Sequence, residues 1–198
     1  MPLALKVKSL LDAGTIGKPV QLSATLCYPM MHKERILRPE LCGGALLDVG
    51  VYCLHFARMY FGTDIVSTVS SCEKFPGGMD RSEIISLTYA DGKTAHLSSD
   101  ASCLCNREGI ICGTEGFLVV ENINCPEKVT LYKDYKPVES WYPPKDQVTG
   151  YEYQVLEAKD AIGKGLLESP FMPHAETLSV MEQMDALRKE WGIVYPMD

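Results

Sequence analysis

Positive charge is scarce in this sequence. Its 198 residues contain 19 lysines and arginines against 26 aspartates and glutamates, which gives a formal net charge of −7 at pH 7. A nucleic-acid-binding protein needs a basic face to meet the phosphate backbone, so the composition argues against a nucleic-acid partner. The apolar fraction of 46% is enough to build one hydrophobic core in a chain of this length.

Long uncharged apolar segments are also absent. The best candidate for a membrane span, residues 45–61, contains Asp48, His55 and Arg58. We therefore expect no membrane partner. The sequence does not open with a basic stretch, an apolar segment and a small-residue cleavage site, so we expect no signal peptide and a cytoplasmic location.

The eight cysteines lack the spacing of a metal site. None forms a Cys-x-x-Cys pair, and no histidine follows at zinc-finger spacing. Most lie inside apolar segments, where a free cysteine behaves as a small apolar side chain. We expect no bound metal and reduced thiols, which are typical of a cytoplasmic protein.

A glycine-rich phosphate-binding turn is missing as well. No Gly-x-Gly-x-x-Gly motif follows a strand pattern anywhere in the sequence. That motif holds the pyrophosphate of a dinucleotide at the start of a helix. The sequence therefore predicts that this chain alone binds no dinucleotide cofactor measurably.

The sequence does contain clear helix and strand periodicities. Leu3 to Leu11 predicts an amphipathic helix, and Val20 to Cys27 predicts a strand. Six further short strands follow, with a hairpin signal at Tyr89–Lys93. Their predicted ranges are Ile65–Cys72, Glu83–Tyr89, Thr94–Ala101, Glu108–Cys112, Phe117–Glu121 and Lys128–Lys133.

The C-terminal part predicts a proline-rich connector over Pro137–Gly150 and then two helices. Each helix has an apolar stripe that we interpret as core packing. The stripes consist of Tyr151, Val155, Ala158 and Ile162, and of Leu178, Met181, Met184, Leu187 and Trp191. Successive strands followed by helices favour an α+β fold, with an open, mainly antiparallel sheet and helices packed on one face.

The segment from Gly43 to His55 carries the strongest functional signal. In a helix, Asp48 and Tyr52 are four residues apart and His55 is three beyond, so all three share one face. The rest of the segment is apolar, which predicts a buried helix. A buried carboxylate is costly unless paired, and that cost is tolerated most often at functional sites. The structural alternative stays open: Asp48 bonds to a neighbouring backbone, and the other two are satisfied core residues.

The polar segment from Met30 to Leu41 precedes the glycine pair Gly43–Gly44, with which the Asp48 segment begins. It carries His32 and Arg38 together with two further basic residues. It is either a solvated basic loop or a substrate-cleft loop, since binding residues favour loops.

The run from Arg38 to Tyr52, RPELCGGALLDVGVY, resembles the substrate-domain signature of the Gfo/Idh/MocA oxidoreductases. It is most similar to the branch of dimeric dihydrodiol dehydrogenases and sugar 1-dehydrogenases. The segments Pro2–Lys8 and Glu168–Leu178 resemble the first helix and the closing helix pair of the same domain. In that family the glycines open an active-site helix whose Asp and His or Tyr face the substrate and the nicotinamide. The matching positions here are Asp48 and Tyr52.

The resemblance implies a parent protein with two domains, one that binds the substrate and one that binds the dinucleotide cofactor. Residues 1–198 correspond to a single substrate-binding and dimerisation domain, and the dinucleotide-binding Rossmann domain is absent from this chain. The intact parent would use NAD or NADP on a sugar or cyclic diol hydroxyl, and would form a homodimer through the sheet face. The catalytic lysine of the family belongs to a Glu-Lys-Pro motif in the missing domain. Glu73–Pro76 imitates that motif but follows the Asp48 helix, where it predicts a strand entering a turn.

The same resemblance suggests roles for individual side chains. Asp48 would hydrogen-bond the substrate or orient Tyr52, which would accept or deliver the hydroxyl proton. Arg38, His55 and His32 are candidates for substrate binding. Because the chain shows no means of holding the cofactor, we expect it to be inactive alone.

Two alternatives belong to other functional classes. The first is a non-enzymatic interaction or scaffold domain that uses the outer face of the sheet, which a broad apolar patch on that face would favour. The second is a metal-dependent hydrolase built on Asp48, His55 and His96, for which the sequence offers no supporting spacing.

Overall fold

The fold is a large open sheet with helices against one of its faces. The computed structural model describes all 198 residues. In chain order the elements are α1 (Pro2–Asp12), β1 (Pro19–Cys27), α2 (Glu34–Leu37), α3 (Val51–Phe61), β2 (Ile65–Lys74), β3 (Asp80–Tyr89), β4 (Thr94–Asp100), β5 (Gly109–Gly113), β6 (Gly116–Glu121), β7 (Lys128–Lys133), β8 (Lys136–Trp141), α4 (Tyr151–Gly163) and α5 (His174–Trp191). A 3₁₀ turn (Pro39–Leu41) and a π-helical turn (Leu46–Gly50) lie between α2 and α3.

The eight strands form one sheet in the order β2-β3-β4-β1-β5-β6-β7-β8. Every neighbouring pair is antiparallel except β1 and β4, which run parallel. The parallel pair arises because β1 joins the sheet between strands that come much later in the chain, after α3 has crossed one face. This arrangement confirms the predicted α+β class with an open, mainly antiparallel sheet.

The hydrophobic core fills the space between the helices and the inner face of the sheet. Helix α3 packs on β1 and β4, α5 packs on β2 and on α3, and α1 packs on β7. Leu22 and Leu26 of β1 and Leu54 of α3 are completely buried at this interface. Each such side chain contributes about 1.5–3 kcal/mol relative to exposure, so this contact anchors α3 on the sheet.

The glycine pair is packed against a buried carboxylate. Asp80, the first residue of β3, is completely buried, and its Oδ2 accepts the backbone N–H of Leu46 at 2.5 Å. Gly44 has φ of +112°, and a Cβ there would lie 2.1 Å from Oδ1 of Asp80. The backbone amide of Ala45 donates to the carbonyl of Asp80 at 3.0 Å. Only glycine fits this close approach, so the pair sets where the π-helical turn begins.

A second buried carboxylate lies under the same turn. Glu83 of β3 is 2% exposed and accepts a hydrogen bond from the hydroxyl of Ser99, while its Oε2 has no partner. A Cβ on Gly50 would lie 2.3 Å from its Oε1. Burial, followed by the charge of Asp80, raises the pKa of Glu83 well above its ordinary value, which favours the protonated form.

The segment Pro39–Phe61 has a mean hydropathy of 1.2 and satisfies the length and composition of a membrane span. It is 56% buried within the protein, and its backbone leaves helical geometry between residues 42 and 45. Its apolar character therefore has a local explanation, since α3 occupies the centre of the core.

Two expectations for the C-terminal part are wrong. Residues 137–141, the first part of the predicted connector, belong to strand β8 (Lys136–Trp141), which pairs with β7 at the edge of the sheet. The predicted core stripe of α4 faces outward: Tyr151, Val155 and Ile162 are 68%, 64% and 76% exposed. The helix forms as predicted, but no other element of the structure packs against its apolar stripe.

The apolar stripe predicted for α5 is buried only in the C-terminal half of the helix. Met184 and Leu187 are each 2% exposed, whereas Leu178 is 63% exposed. The first turns of α5 instead make a polar contact with α3: Arg58 is buried and donates to both carboxylate oxygens of Glu176, at 2.7 and 2.9 Å. This ion pair shifts the buried face of α5 away from the predicted positions.

The outer face of the sheet changes character across its width. In β3 and β4, Ile85 and Leu97 point into the core while hydroxyl and imidazole side chains point outward, with Ile84 the exception at 60% exposure. Between β5 and β7 five outward side chains are apolar and partly exposed, next to Thr130 and the Glu121–Lys128 ion pair on the same face. They are Ile110, Cys112, Phe117, Val119 and Tyr132. Apolar character on both faces of the sheet is therefore found mainly in the β5–β7 half.

We predict that Glu83→Gln removes a pH-dependent loss of stability. The folded-state pKa of Glu83 is raised, so its stabilising contribution is complete below the ordinary value of 4.5 and is lost as pH rises toward the folded-state pKa. The variant has no group to ionise at this position, so it does not lose this stability as pH rises. Its free energy of unfolding relative to that of the unsubstituted chain should therefore increase with pH, by at most about 1.4 kcal/mol per pH unit. Urea denaturation at pH 5 to 8 measures this difference.

The matched control is Glu73→Gln on the exposed surface of β2. It should leave the pH dependence of stability unchanged. A difference between the Glu83→Gln variant and the unsubstituted chain that stays constant over this pH range would contradict the prediction.

Candidate active site

A hollow of about 460 Å³ opens beside the first turn of α3, at the end of β1. Its walls come from the loop after β1, the π-helical turn, the start of α3 and the β6–β7 loop. The lining residues are Tyr28, Pro29, Met30, His32, Lys33, Asp48, Val49, Tyr52 and Asn124. The hollow therefore collects acidic, basic, amide and phenolic groups, which is typical of a ligand site.

Asp48 lies in the π-helical turn at the edge of this hollow. Its side chain is 18% exposed and forms an ion pair with Nη2 of Arg35 on α2. The wide turn is held from below by Asp80, so the position of the Asp48 carboxylate depends on the glycine pair and β3. Asp48 is paired with a side chain, which disfavours the alternative in which its carboxylate bonds only to a neighbouring backbone.

Tyr52 lies one turn further on and is 42% exposed in the same hollow. Burial is the main factor that raises the pKa of its phenol, and the charges of Tyr151, Asp48 and Tyr28 raise it further. The neutral phenol is thus the favoured form, able to donate and to accept one hydrogen bond.

Tyr28 lines the hollow from the end of β1, and Arg107, which is not a lining residue, contacts it. Nη1 of Arg107 donates to the Tyr28 hydroxyl at 3.0 Å, and the guanidinium lies 5.7 Å from the centre of the same ring. Arg107 has φ of +55°, a left-handed conformation that is uncommon outside glycine and that turns the chain toward Tyr28.

Asn124 is the lining residue from the β6–β7 loop. Its side-chain oxygen is buried and has no hydrogen-bond partner in the protein. Buried amide oxygens are almost always paired, so this oxygen is an exception within the protein. His32 and Lys33 line the outer edge as further polar groups.

The structure brings three of the five predicted site residues together: Asp48, Tyr52 and His32. It does not bring Arg38 or His55 to the hollow. Arg38 is exposed and pairs with Glu34 at 2.6 Å and Glu40 at 3.4 Å.

His55 faces α5 instead of the hollow. Its Nδ1 lies 3.9 Å from Oε1 of Glu176, the carboxylate that binds Arg58. Burial lowers the pKa of His55, the charge of Glu176 raises it, and the charge of Arg58 lowers it. Tyr52 and His55 both lie in α3, and the packing of α5 against that helix gives His55 a partner outside the hollow.

Lys74, in the segment that imitates a Glu-Lys-Pro motif, has a structural contact. Its ammonium group donates to the carbonyls of Trp191 and Gly192 at the C-terminal end of α5. A cation at this position complements the helix dipole. Lys74 lies outside the hollow, as its sequence position indicates.

No group of three or more His, Cys, Asp or Glu side chains is arranged to hold a metal ion. His96, part of the hydrolase alternative, lies on the outer face of the sheet and contacts Ser86 at 3.2 Å. Asp48 and His55 therefore do not converge with His96, and that alternative has no geometric support.

The sequence analysis missed Tyr28, Arg35, Lys33 and Asn124 as specific site residues. Tyr28 directly follows the last residue of a predicted strand, which is a usual place for ligand contacts. Arg35 and Lys33 lie in the segment that was considered as a cleft loop. Asn124 has no comparable signal, because only the folding of the β6–β7 loop against α3 brings it to the hollow.

Comparison with known families gives one clear match. Residues 4–119 match the model described as the GFO/IDH/MocA C-terminal domain. Among characterised proteins, the chain is 27% identical to the trans-1,2-dihydrobenzene-1,2-diol dehydrogenase of Danio rerio and 25% identical to that of Homo sapiens, each over 100% of this chain and 61% of the relative. The chain thus spans about three fifths of the length of the relatives it matches.

Solved structures share the fold. A 3-ketoreductase from Actinomadura kijaniata, in complex with NADP and TDP-benzene, superimposes with a TM-score of 0.83 at 22% identity, covering 96% of this chain and 59% of that one. An aldose-aldose oxidoreductase from Caulobacter crescentus, complexed with glycerol, gives a TM-score of 0.81 at 18% identity, covering 94% and 57%. At these identities the likeness concerns the fold alone.

We predict that the pKa of His55 depends on its contact with Glu176 of α5. Glu176→Gln removes the carboxylate that raises the pKa of His55 and leaves burial and Arg58, both of which lower it. The pKa of His55, followed by NMR, should therefore fall in this variant. Glu182→Gln, at an exposed position of α5, is the matched control. An unchanged pKa in Glu176→Gln would contradict this placement of His55.

Proposed function

The chain belongs to the GFO/IDH/MocA C-terminal domain family, and we propose that it is the substrate-binding domain of an NAD(P)-dependent oxidoreductase that acts on a hydroxyl group of a sugar or cyclic diol. The observation that carries this proposal is the shared hollow of Asp48 and Tyr52. A carboxylate and a neutral phenol at one ligand-sized cavity are suited to binding a hydroxyl and exchanging its proton.

The chemistry of the lining supports a small polyhydroxylated ring. Asp48 accepts hydrogen bonds, Lys33 and His32 can donate them, and Tyr28 and Tyr52 offer aromatic rings to the apolar side of a substrate ring. The relatives are named for a cyclic diol, and the Caulobacter neighbour for aldoses. These names agree with the substrate class that the lining favours.

Within this chain, Asp48 holds the substrate hydroxyl and Arg35 keeps the carboxylate oriented. Tyr52 exchanges the hydroxyl proton. Since burial raises the pKa of its phenol, Tyr52 serves first as a proton donor, and use as a base requires a nearby cation. The family resemblance assigns that cation to a lysine of the nucleotide-binding domain.

The residues of this chain do not fit a dinucleotide. The helix that follows β1 has four residues, and the chain then passes through two further turns before α3. No strand leads through a glycine-rich turn into a helix N-terminus that could hold a pyrophosphate. We propose that the cofactor is held by a separate domain of the parent, that this chain is inactive alone, and that the protein acts in the cytoplasm.

The scaffold alternative receives less support from the outer face of the sheet. The β3–β4 half presents serine, threonine and histidine side chains, and the apolar half is confined to β5–β7. We propose that this narrower apolar area is the contact between two copies of the chain.

We predict that the chain binds trans-cyclohexane-1,2-diol or a monosaccharide with an affinity of about millimolar, because a small ligand makes few contacts. Saturation-transfer NMR measures binding, and Asp48→Asn and Tyr52→Phe should each weaken it by about tenfold, since a charge-assisted or buried hydrogen bond contributes roughly 1.5 kcal/mol. The matched controls are Asp134→Asn and Tyr135→Phe in the exposed β7–β8 turn.

The outcomes separate the parts of this proposal. Equal binding by all four variants would refute the site, and no binding of any diol or sugar would refute the substrate class. Calorimetric titration with NAD and NADP should show no binding, and micromolar affinity for either would refute a separate cofactor domain.

We predict a homodimer through the β5–β7 half of the outer face. Phe117 and Tyr132 stack there with ring centres 4.6 Å apart beside Val119, and an apolar area on a sheet face is usually covered. A stable interface should bury more than roughly 1,000 Å². Sedimentation at micromolar concentration should show a dimer, and Val119→Lys should give a monomer.

The matched control is Ser86→Lys in the polar half of the same face, which should leave the dimer intact. A monomer for the unsubstituted chain at micromolar concentration would contradict this dimer.

A further inference from the structure

Three of the eight cysteines lie together, away from the side chains that line the hollow. The backbone N–H of Cys27, the last residue of β1, donates to Sγ of Cys105 at 3.1 Å. The neighbouring thiols of Cys105 and Cys103 add to burial in raising the pKa of the Cys27 thiol. Cys27 is buried, Cys105 is partly exposed and Cys103 is exposed. We call these three residues the thiol cluster.

The thiol cluster differs from the other cysteines in what the sulfur atoms contact. The thiols of Cys53 and Cys125 donate to the backbone carbonyls of Ser98 and Thr149, as isolated buried thiols usually do. In the thiol cluster, the charged forms of the other two cysteines act on the Cys27 thiol, and the sulfur of Cys105 accepts the Cys27 backbone N–H. Sγ of Cys105 also accepts the backbone N–H of Arg107 at 3.3 Å, so two amides hold it in place next to Cys27.

The distances are compatible with a disulfide between Cys27 and Cys105. A sulfur 3.1 Å from the backbone nitrogen of Cys27 lies within about 4.6 Å of its Cα, since the N–Cα bond adds only about 1.5 Å. That places Sγ of Cys105 within reach of the Cys27 side chain, so an S–S bond of about 2.05 Å needs little backbone movement. Cys103 and Cys105, two residues apart, are less suited to bond with each other.

We propose that Cys27 and Cys105 form a reversible disulfide when the protein meets a hydroperoxide. Sγ of Cys105 attacks the terminal oxygen of the peroxide, the O–O bond breaks, and Cys105 becomes a sulfenic acid while water or an alcohol leaves. Sγ of Cys27 then attacks that sulfur. The S–S bond forms, the S–O bond breaks, and the oxygen leaves as water, so two thiols supply the two electrons that reduce one peroxide.

The environment of each thiol assigns the order of these steps. Burial raises the pKa of the Cys27 thiol, so Cys27 is poorly suited to react first with a solvent oxidant. Cys105 is partly exposed and can be reached by peroxide. Cys27 is therefore the resolving thiol.

The bond would join two segments that together hold Tyr28, one of the lining residues of the hollow. Tyr28 follows Cys27 directly, and Arg107, which donates to the Tyr28 hydroxyl, lies two residues beyond Cys105. Oxidation would fix the spacing of these two segments. The disulfide itself does not depend on the proposed enzymatic function, so each proposal can fail without the other.

The test treats the purified chain with an equimolar amount of hydrogen peroxide, followed by digestion without reductant and mass spectrometry. We expect a loss of two hydrogens and a cross-link between the peptide of Cys27 and the tryptic peptide Thr94–Arg107, both reversed by dithiothreitol. Because that peptide holds both Cys103 and Cys105, fragmentation on either side of Leu104 identifies the linked sulfur.

Variants give an independent readout. Cys105→Ser should abolish the cross-link, whereas Cys103→Ser and the control Cys112→Ser on β5 should retain it. The peptide map of the unsubstituted chain needs no variant, so a folding defect in any one variant leaves the proposal testable. A cross-link to Cys103 in place of Cys105, oxidation to sulfinic acid without a cross-link, or stoichiometric zinc bound to these thiols in the purified protein would overturn it.

Discussion

The hydrogen bond from the Leu46 amide to the buried Asp80 carboxylate is the contact on which the candidate site depends. It joins the first residue of β3 to the π-helical turn, and the missing side chain of Gly44 makes the approach possible. The turn then sets the position of Asp48 and the start of α3. Tyr195, near the end of the chain, donates to the carbonyl of Gly43 at 2.7 Å and holds the other side of the same segment. A short apolar stretch of sequence is thus oriented by residues far from it along the chain.

The candidate site is assembled from segments that are distant in sequence. The end of β1 supplies Tyr28, α2 supplies Arg35, the π-helical turn supplies Asp48, and the β6–β7 loop supplies Asn124. The sheet order explains this convergence, because β1 lies between β4 and β5 at the centre of the sheet and α3 crosses over its end. The thiol cluster lies at the same end of β1, so Cys27 and Tyr28 connect two features with different chemistry.

The unpartnered stripe of α4 fits the proposal that this chain functions as one domain of a larger protein. Its N-terminal residue, Tyr151, acts electrostatically on Tyr52, so the stripe begins next to the candidate site. Apolar side chains left exposed beside a substrate hollow are expected where another domain closes over it. Arg58 and Glu176, by contrast, attach α5 firmly to α3.

The sequence by itself determined most of the local elements and predicted the two central residues of the candidate site. Periodicity located α1, β1, α3 and the strands β2 to β7, because an apolar face must repeat with the geometry of its own element. The Gly43–Tyr52 motif placed Asp48 and Tyr52 on one helix face, and the structure brings both to one hollow. Only the tertiary structure decided which residues join them. His55 and the α4 stripe faced elsewhere than expected, and β8 formed in a presumed connector, because burial and partner choice depend on contacts between distant segments that no local pattern records.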